Sequence, residues 1–521
     1  MDKARGLNKF NKSRTRTASV AIGVAVLPLA ISACSSSSGS NSADHTLKIV
    51  MGAEPGSLDP CDSVYQATGT VLDQNVTEPI ILRDPNTGTL SPEIATSWKS
   101  TDGDKQWTLT LKSGLKFSNG DRVTATDVAA SIDRTFDEQL ACGNLQEFSE
   151  GALTTKVESP TKLVVVTPKS DPILPTRLSF VQVGPESQMT SKTKLRKPIG
   201  SGPFKLTAWD AGQQITLEKN TQYSGSAPTI ANVQYQWRDQ TSVAASMIKT
   251  GEADIALGLT PTDNTGNHSV TFPTREVLFL ALEGGVPPLD NFDVRKAIYY
   301  ATDTKGLAAA MFHGAAQPAT QLVPEDAVGY NPDLQPLGYD LDKAKDLIAQ
   351  AKADGADVGA PITIFSEPGF IPGVSDGVEI IAQEMRSIGL NVETKLVQRE
   401  QILDHLGPKP DDGVTTALLW THGNSGGDAS FTSASWWGSG GANTLFGTPE
   451  EQAKISRAES ASGDARQKAF AAAAAYSYDN VLGELPLLRL EGVVGVSPDV
   501  NFKPIPNTMN ELPIRQVTWA K

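Results

Sequence analysis

The stretch Gln106-Trp-Thr-Leu-Thr-Leu-Lys-Ser-Gly-Leu-Lys-Phe-Ser-Asn-Gly-Asp-Arg-Val-Thr-Ala-Thr-Asp-Val128 reads as a strand, a turn, a second extended unit and the start of a helix. Trp107, Leu109 and Leu111 alternate with polar residues, so one face of the strand is buried. Leu115 and Phe117 continue beyond a Ser113-Gly114 turn, and Ser118-Asn-Gly-Asp121 closes the unit. Thr124 followed three residues later by Asp127 has the form of a capping box. Val128, Ile132 and Phe136 then share one helical stripe, so strand and helix follow each other within thirty or so residues.

The same grammar recurs outward from this stretch. Residues 46–52 form a strand that leaves through the turn-rich Glu54-Pro-Gly-Ser-Leu-Asp-Pro60. In the second half, Val294, Ala297, Ile298 and Ala301 mark a helix. A second, carrying Leu341, Ala344, Leu347, Ile348 and Ala351, is entered at Asp340 and stopped at Gly355. A third, carrying Val378, Ile381, Met385 and Ile388, stops at Gly389 and turns at once into the strand Leu390 to Leu396. Asp464 to Leu482 is an alanine-rich helix ended by Gly483, and Leu485 to Val496 is apolar enough for a buried strand. Helix–strand alternation of this kind argues for an α/β lobe. No internal repeat is present.

The ends and the composition set the class. Lys3, Arg5, Lys9, Lys12, Arg14 and Arg16 precede an apolar run from Ala18 to Ile31, too short to span a bilayer as a mature helix, so the segment reads as a signal peptide. Ile31-Ser-Ala-Cys34 resembles the bacterial lipobox, which implies cleavage before Cys34 and lipidation of its sulfur. The Ser-rich tract that follows, to residue 45, is a flexible tether. Removing residues 1–33 takes six basic and one acidic residue from 45 and 59, leaving 39 against 58, a balance of −19. Such a surface repels nucleic acid and anionic lipid, which excludes both as partners. Some 480 residues exceed one core, so two or three domains are expected. After Cys34 only Cys61 and Cys142 remain, and an even pair in an oxidising compartment suggests a disulfide, with two buried thiols as the alternative.

Five blocks in register are similar to the extracellular solute-binding proteins of family 5, the dipeptide, oligopeptide and nickel receptors of ABC importers. They are Leu90-Ser-Pro-Glu-Ile-Ala-Thr-Ser-Trp98 with the 107–128 stretch; Ile199-Gly-Ser-Gly-Pro-Phe-Lys-Leu206 with Leu217-Glu-Lys-Asn220 and Tyr223; Phe292-Asp-Val-Arg-Lys-Ala-Ile298 with Ala301 and Asp303; Tyr339-Asp-Leu-Asp-Lys-Ala344; and Ile388-Gly-Leu-Asn-Val392. The resemblance implies a two-lobed, periplasmic-binding-protein-like (type II) α/β fold with an extra subdomain in lobe I. Lobe I would be residues 46–275 plus 487–521 and lobe II residues 276–486, with hinge crossings near Val277 to Leu282 and Leu485 to Arg489. It also implies a monomer without catalytic activity or cofactor, lipid-anchored on the outer face of the cytoplasmic membrane. There it would deliver a peptide-like solute to membrane permease subunits.

Gly423-Asn-Ser425-Gly-Gly427 spells the G-x-S-x-G of a hydrolase nucleophile elbow, which makes a secreted serine hydrolase the competing reading. Thr421-His-Gly-Asn separates the strand from Ser425, the residues after it are glycines and hydroxyls rather than helix formers, and no histidine follows Ser425, so the elbow fails. By the resemblance this loop of lobe II faces the cleft: Trp420, His422, Gly423, Asn424 and Asp428 are expected to line it, with Asp428 as partner of a ligand ammonium or, equally, a solvated loop aspartate. Lobe I is expected to present Glu54, Ser57, Tyr65, Gln66, Thr68 and Gly69. Trp436 and Trp437 suggest either a second pocket wall or core packing. The segment Phe365 to Asp376 lacks the arginine that dipeptide receptors place there, so a free carboxylate of fixed distance is poorly matched. No histidine pair or cysteine motif indicates a resident metal. An oligosaccharide, an opine or a metal chelate remain alternative cargoes for the same fold.

Overall fold

The computed structural model describes residues 45–148, 151–406, 414–505 and 511–520. Cys34, the signal segment and the tether lie outside them. The main sheet has eleven strands. In spatial order they are Asn391–Leu396, Pro361–Ser366, Thr415–Gly423, Ser269–Leu282, Glu484–Val496, Ile255–Leu259, Thr46–Met51, Asn232–Trp237, Gln214–Lys219 and Phe204–Asp210, while Ala316–Pro318 pairs separately with Glu484–Val496. Pairing is parallel around Thr46–Met51 and around Pro361–Ser366, where helices serve as crossovers, and antiparallel elsewhere.

The two longest strands, Ser269–Leu282 and Glu484–Val496, run antiparallel through the middle of this sheet. Val493 to Val496 pairs with Ile255–Leu259, whereas Glu276 to Leu282 pairs with Thr415–Gly423. Each long strand therefore belongs to one half of the sheet at one end and to the other half at its other end. Between those ends the pairing slips, from Pro273 to Val277 and again from Leu278 to Phe279. Leu278 to Leu282 and Leu485, Leu487 and Leu488 are fully buried, so these segments read as unbroken apolar runs rather than alternating ones.

A second sheet, of four antiparallel strands in the order Ala95–Thr101, Gln106–Leu111, Lys162–Val166 and Thr154–Ser159, forms the extra subdomain. Trp107, Leu109 and Leu111 point into its core as their alternation requires, against the helix Ala125–Thr135. That helix opens with the expected box: Thr124 and Asp127 cap each other's backbone. Phe292–Ala301, Leu341–Ala353 and Val374–Ser387 are helical where their stripes place them, and Asp340 caps the second. The alanine-rich helix ends at Asn480 rather than at Leu482, which stands at a left-handed φ of 48°. In Ile199-Gly-Ser-Gly-Pro203 a methyl group on Gly200 or Gly202 would enter the backbone carbonyls of Val76 and Asn75, so only glycine lets these chains meet.

Cys61 and Cys142 are joined by a disulfide across 81 residues, with Leu140 beside it. Next to it lies an ion pair between Arg134 and Asp59 whose side chains are wholly buried. Among the described residues no helix is long and apolar enough to cross a membrane.

Candidate functional site

A cavity of about 1030 Å³ is lined by residues from both halves of the main sheet. One wall comes from segments N-terminal to the long strands: Gln66 at the start of the helix Gln66–Leu72, Asp73 just after it, Arg83, Glu147 and Phe180, joined by Glu511. The opposite wall carries Phe370, Arg399, Trp420, Phe431 and Trp436. Arg275, Glu276 and Glu491 on the long strands form the floor between them.

The second wall has a flat aromatic platform. Phe370 and Trp420 stack with centroids 4.0 Å apart and planes 15° from parallel. Arg399 lies over both rings, 5.4 and 5.0 Å from their centroids, and its Nε donates to Glu367 at 3.0 Å. A guanidinium on aromatic faces with a carboxylate behind it is held in place while part of its surface stays open.

The Gly423 to Ser435 loop borders this platform and is fixed from inside. The strand Thr415–Gly423 runs three residues past Trp420, and a seven-residue helix, Ala429–Ser435, begins soon after. Asn424 is fully buried and ties the turn, donating to the Asp428 carbonyl and the Thr432 hydroxyl and accepting from Gly427 and Asp428. Asp428 caps Ser430 and receives both arms of Arg466, at 2.7 and 2.6 Å. The Ser425 carbonyl is gripped by Arg83 and by Arg275, the latter at 3.3 Å. Arg275 also donates to the Pro85 carbonyl and to Asp326. Gly423 sits so near Glu276 that a side-chain methyl would collide with its carboxylate.

Burial dominates the electrostatics here. It lowers the His422 imidazole to about 4, so the ring is neutral, and Nε2 shares a hydrogen bond of 3.0 Å with Thr432. It raises the carboxyls of Asp73, Glu147, Glu276 and Glu511, that of Glu147 to about 7. Burial, then the neighbouring Arg275 charge, lowers the Arg83 guanidinium to about 10.

Residues 89–444 match the family model for bacterial extracellular solute-binding proteins, family 5, middle region. The chain belongs to this family. Two curated relatives from Escherichia coli (strain K12) are each 27% identical to it. One is a probable D,D-dipeptide-binding periplasmic protein, aligned over 57% of this chain and 61% of its own. The other is a nickel-binding periplasmic protein, aligned over 65% and 68%. The chain thus spans roughly three fifths to two thirds of the length of these relatives. Among solved structures, an ABC-transporter-associated periplasmic binding protein from Helicobacter pylori in complex with the peptide STSA superposes with a TM-score of 0.73 at 20% identity, over 92% of this chain and 98% of that one. The fold is the two-lobed one of the family.

In this family 5 chain the expected cleft residues divide. Gln66, Trp420, His422, Gly423 and Trp436 border the cavity, although Trp436 also packs edge-on against Phe279 as a core residue. Asp428 corrects the ammonium expectation: with Arg466 on both oxygens it is an internal ion pair, not an open anion. Asn424 staples the loop instead of lining it. Trp437 is core, donating to Glu451 and leaning on Phe470. Glu54 faces away, taking the Trp209 indole N–H at 2.7 Å. Ser57 and Thr68 hold their own turn, Ser57 through Asp62 and Thr68 through the Ser57 carbonyl. Gly69 is inside a helix, and Tyr65 is exposed beside Gly143.

Two further expectations change. A helix does follow Ser425, because a buried ion pair caps a sequence of poor propensity. Among the described residues, however, no hydrogen bond joins Ser425 to a histidine. The wall around Phe365 to Asp376 is also not without a cation, since Arg399 reaches it from a different segment. Asp73, Arg83, Glu147, Arg275, Glu276, Arg399 and Glu511 also border the cavity, and none is marked in the sequence by a motif. Their one shared signal, a charge beside an apolar run, is too common to single them out.

Proposed function

We propose that this chain is the solute-capturing component of an ABC importer and that its cargo is a peptide or peptide-like molecule, closed between two lobes and handed unchanged to a membrane permease. Lobe I is residues 46–275 plus 487–521 and lobe II residues 276–486, so the boundaries fall in the two strands that change neighbours along their length. Lipid on Cys34 would hold the mature protein at the outer face of the cytoplasmic membrane, and more than one acyl chain makes such an anchor stable.

The observation that carries the reading is the cavity itself. At about 1030 Å³ it lies at the upper end of small-molecule sites, and its mixed lining of charged groups and stacked rings suits an extended amphoteric ligand. The dipeptide-binding relative and the peptide-bound structural neighbour support the same class. A metal chelate is the second reading, favoured by the nickel-binding relative and by the neutral imidazole of His422 at the cleft edge. Native mass spectrometry of untagged protein, followed by titration of Trp420 fluorescence with oligopeptides, oligosaccharides and nickel–histidine, separates these readings. Co-purified peptide and saturable response to peptides are expected; response to sugars alone, or to the chelate alone, sinks the peptide assignment.

A further inference from the structure

A second cavity, of about 50 Å³, lies wholly within the proposed lobe II, and no residue lines both it and the cleft. The half-buried Thr320, Ser477 and Tyr478 mark its mouth. Leu322, Val323, Leu482 and Pro486 make a buried apolar wall. Thr432, fully buried, also belongs to this lining, and its hydroxyl meets His422 and Asn424 of the cleft loop. One side chain thus separates the two spaces.

The single charged residue of this lining is Glu484, which opens the long strand Glu484–Val496. It is 8% exposed, and its Oε1 is shut off from solvent with no hydrogen-bond partner among the described residues. The ionised neighbour it feels, Glu451, has the same sign. Donors around the cavity are spent elsewhere. The Trp437 indole goes to Glu451 at 3.1 Å, the Tyr478 hydroxyl to the Gln335 carbonyl at 2.7 Å and the Gln321 amide to the Asn331 carbonyl at 2.9 Å. What faces the space is therefore an acceptor in want of a donor, set in an apolar wall. Leaving such an oxygen unsatisfied is costly, and a guest that donates to it removes the cost.

We propose that this cavity is a second ligand site, for a short alkylammonium ion whose ammonium donates to Glu484 Oε1 and whose carbon chain lies along Leu322, Val323, Leu482 and Pro486. At on the order of 10–15 Å³ for each water-sized group, the space takes about three or four heavy atoms, an ammonium on a two- or three-carbon chain. An ammonium carries three donors and no acceptor, which suits a carboxyl with no donor of its own. A water molecule needs two to four polar partners, and the apolar wall supplies few. An anionic guest would meet Glu484 as a like charge in a poorly solvated place. Because the lining is separate from the cleft, this site stands or falls independently of the cargo.

The test is calorimetric titration of the whole mature protein with propylammonium, 1-propanol and propionate, three solutes of similar shape that differ in charge and donors. Propylammonium is expected to bind at least about tenfold tighter than the other two, one charged hydrogen bond being worth that much. Glu484→Gln keeps the shape of the side chain. It is expected to erase the preference for propylammonium over propanol while leaving the melting temperature in place, because no protein partner of Oε1 is lost. Trp420→Ala, in the cleft, is expected to leave propylammonium binding as in wild type; its loss there would put the ion in the cleft and overturn the site. Equal binding of propylammonium and propanol, binding that survives Glu484→Gln, or no binding at all overturns it too, and Glu484 is then a neutral acid meeting water. Should Glu484→Gln fail to fold, Thr320→Leu decides. Bulk at the mouth is expected to weaken propylammonium binding about tenfold, and unchanged binding counts against the site.

Discussion

A single carboxyl shows how the interior sets chemistry that composition cannot. Glu147 has an ordinary glutamate's place in the sequence, yet burial raises its carboxyl to about 7 against a usual value near 4.5. The folded state therefore binds a proton that the unfolded chain has released between those values. The resulting stabilisation is full below about pH 4.5 and is lost as the pH rises through about 7. Glu147→Gln removes this dependence. Chemical denaturation of wild type and variant should give parallel stabilities near pH 4.5, with the variant gaining up to about 3 kcal/mol by pH 8. A constant offset across that range would mean that the carboxyl is not held up by burial. The charged cleft residues are illegible in the sequence for a related reason: Asp73, Glu147 and Glu511 border one cavity only through the fold, and no spacing joins positions 73, 147 and 511. Trp420, His422 and Gly423 were legible because three consecutive features, an apolar strand, its aromatic end and a glycine loop, sit together in the chain.

Elements with strong local signals were legible and the one with none was not. Asp340 ahead of an apolar stripe, or Thr124 with Asp127, states a helix start in four residues, and the structure has those helices. Ala429–Ser435 has poor propensity and depends on a partner 38 residues from its cap. The Asp428–Arg466 pair, with side chains 6% and 4% exposed, fixes the helix and with it the wall that carries Trp436. Removing one partner strands the other in the interior, so Arg466→Ala should cost about 3–5 kcal/mol by denaturant melts, whereas Asp428→Leu with Arg466→Met should recover much of that loss. A double variant as unstable as the single one would show that the pair also positions the loop by hydrogen bonding that carbon cannot replace. The disulfide is a separate constraint. It closes a loop of 81 residues, and on the loop-entropy argument Cys61→Ser with Cys142→Ala should lower stability by about 2–4 kcal/mol without changing cargo affinity, since neither cysteine borders the cleft.

At the scale of the whole molecule, the two-lobed arrangement could be read from five sequence blocks, but what holds the halves together could not. With the lobe boundaries proposed above, Arg83 of lobe I reaches the Ser425 carbonyl of lobe II, and Arg275, at the end of lobe I, grips the same carbonyl along with Pro85 and Asp326. On those boundaries the bonds join the two lobes, so opening the cleft would break them. They therefore bias the open–closed equilibrium by their own free energy, and cargo adds whatever it gains by touching both walls. A charged hydrogen bond of this kind is worth about 1.5–3 kcal/mol. Arg83→Ala should accordingly weaken cargo binding about ten- to a hundredfold, because more of the free protein is open and closure must be driven by the cargo alone. The loss should appear mainly as faster dissociation in stopped-flow measurements. Small-angle scattering should show the unliganded variant with a larger radius of gyration than wild type, and the two should converge at saturating cargo. Equal radii without cargo, together with weakened binding, would instead make Arg83 a direct ligand contact and leave closure to the long strands alone.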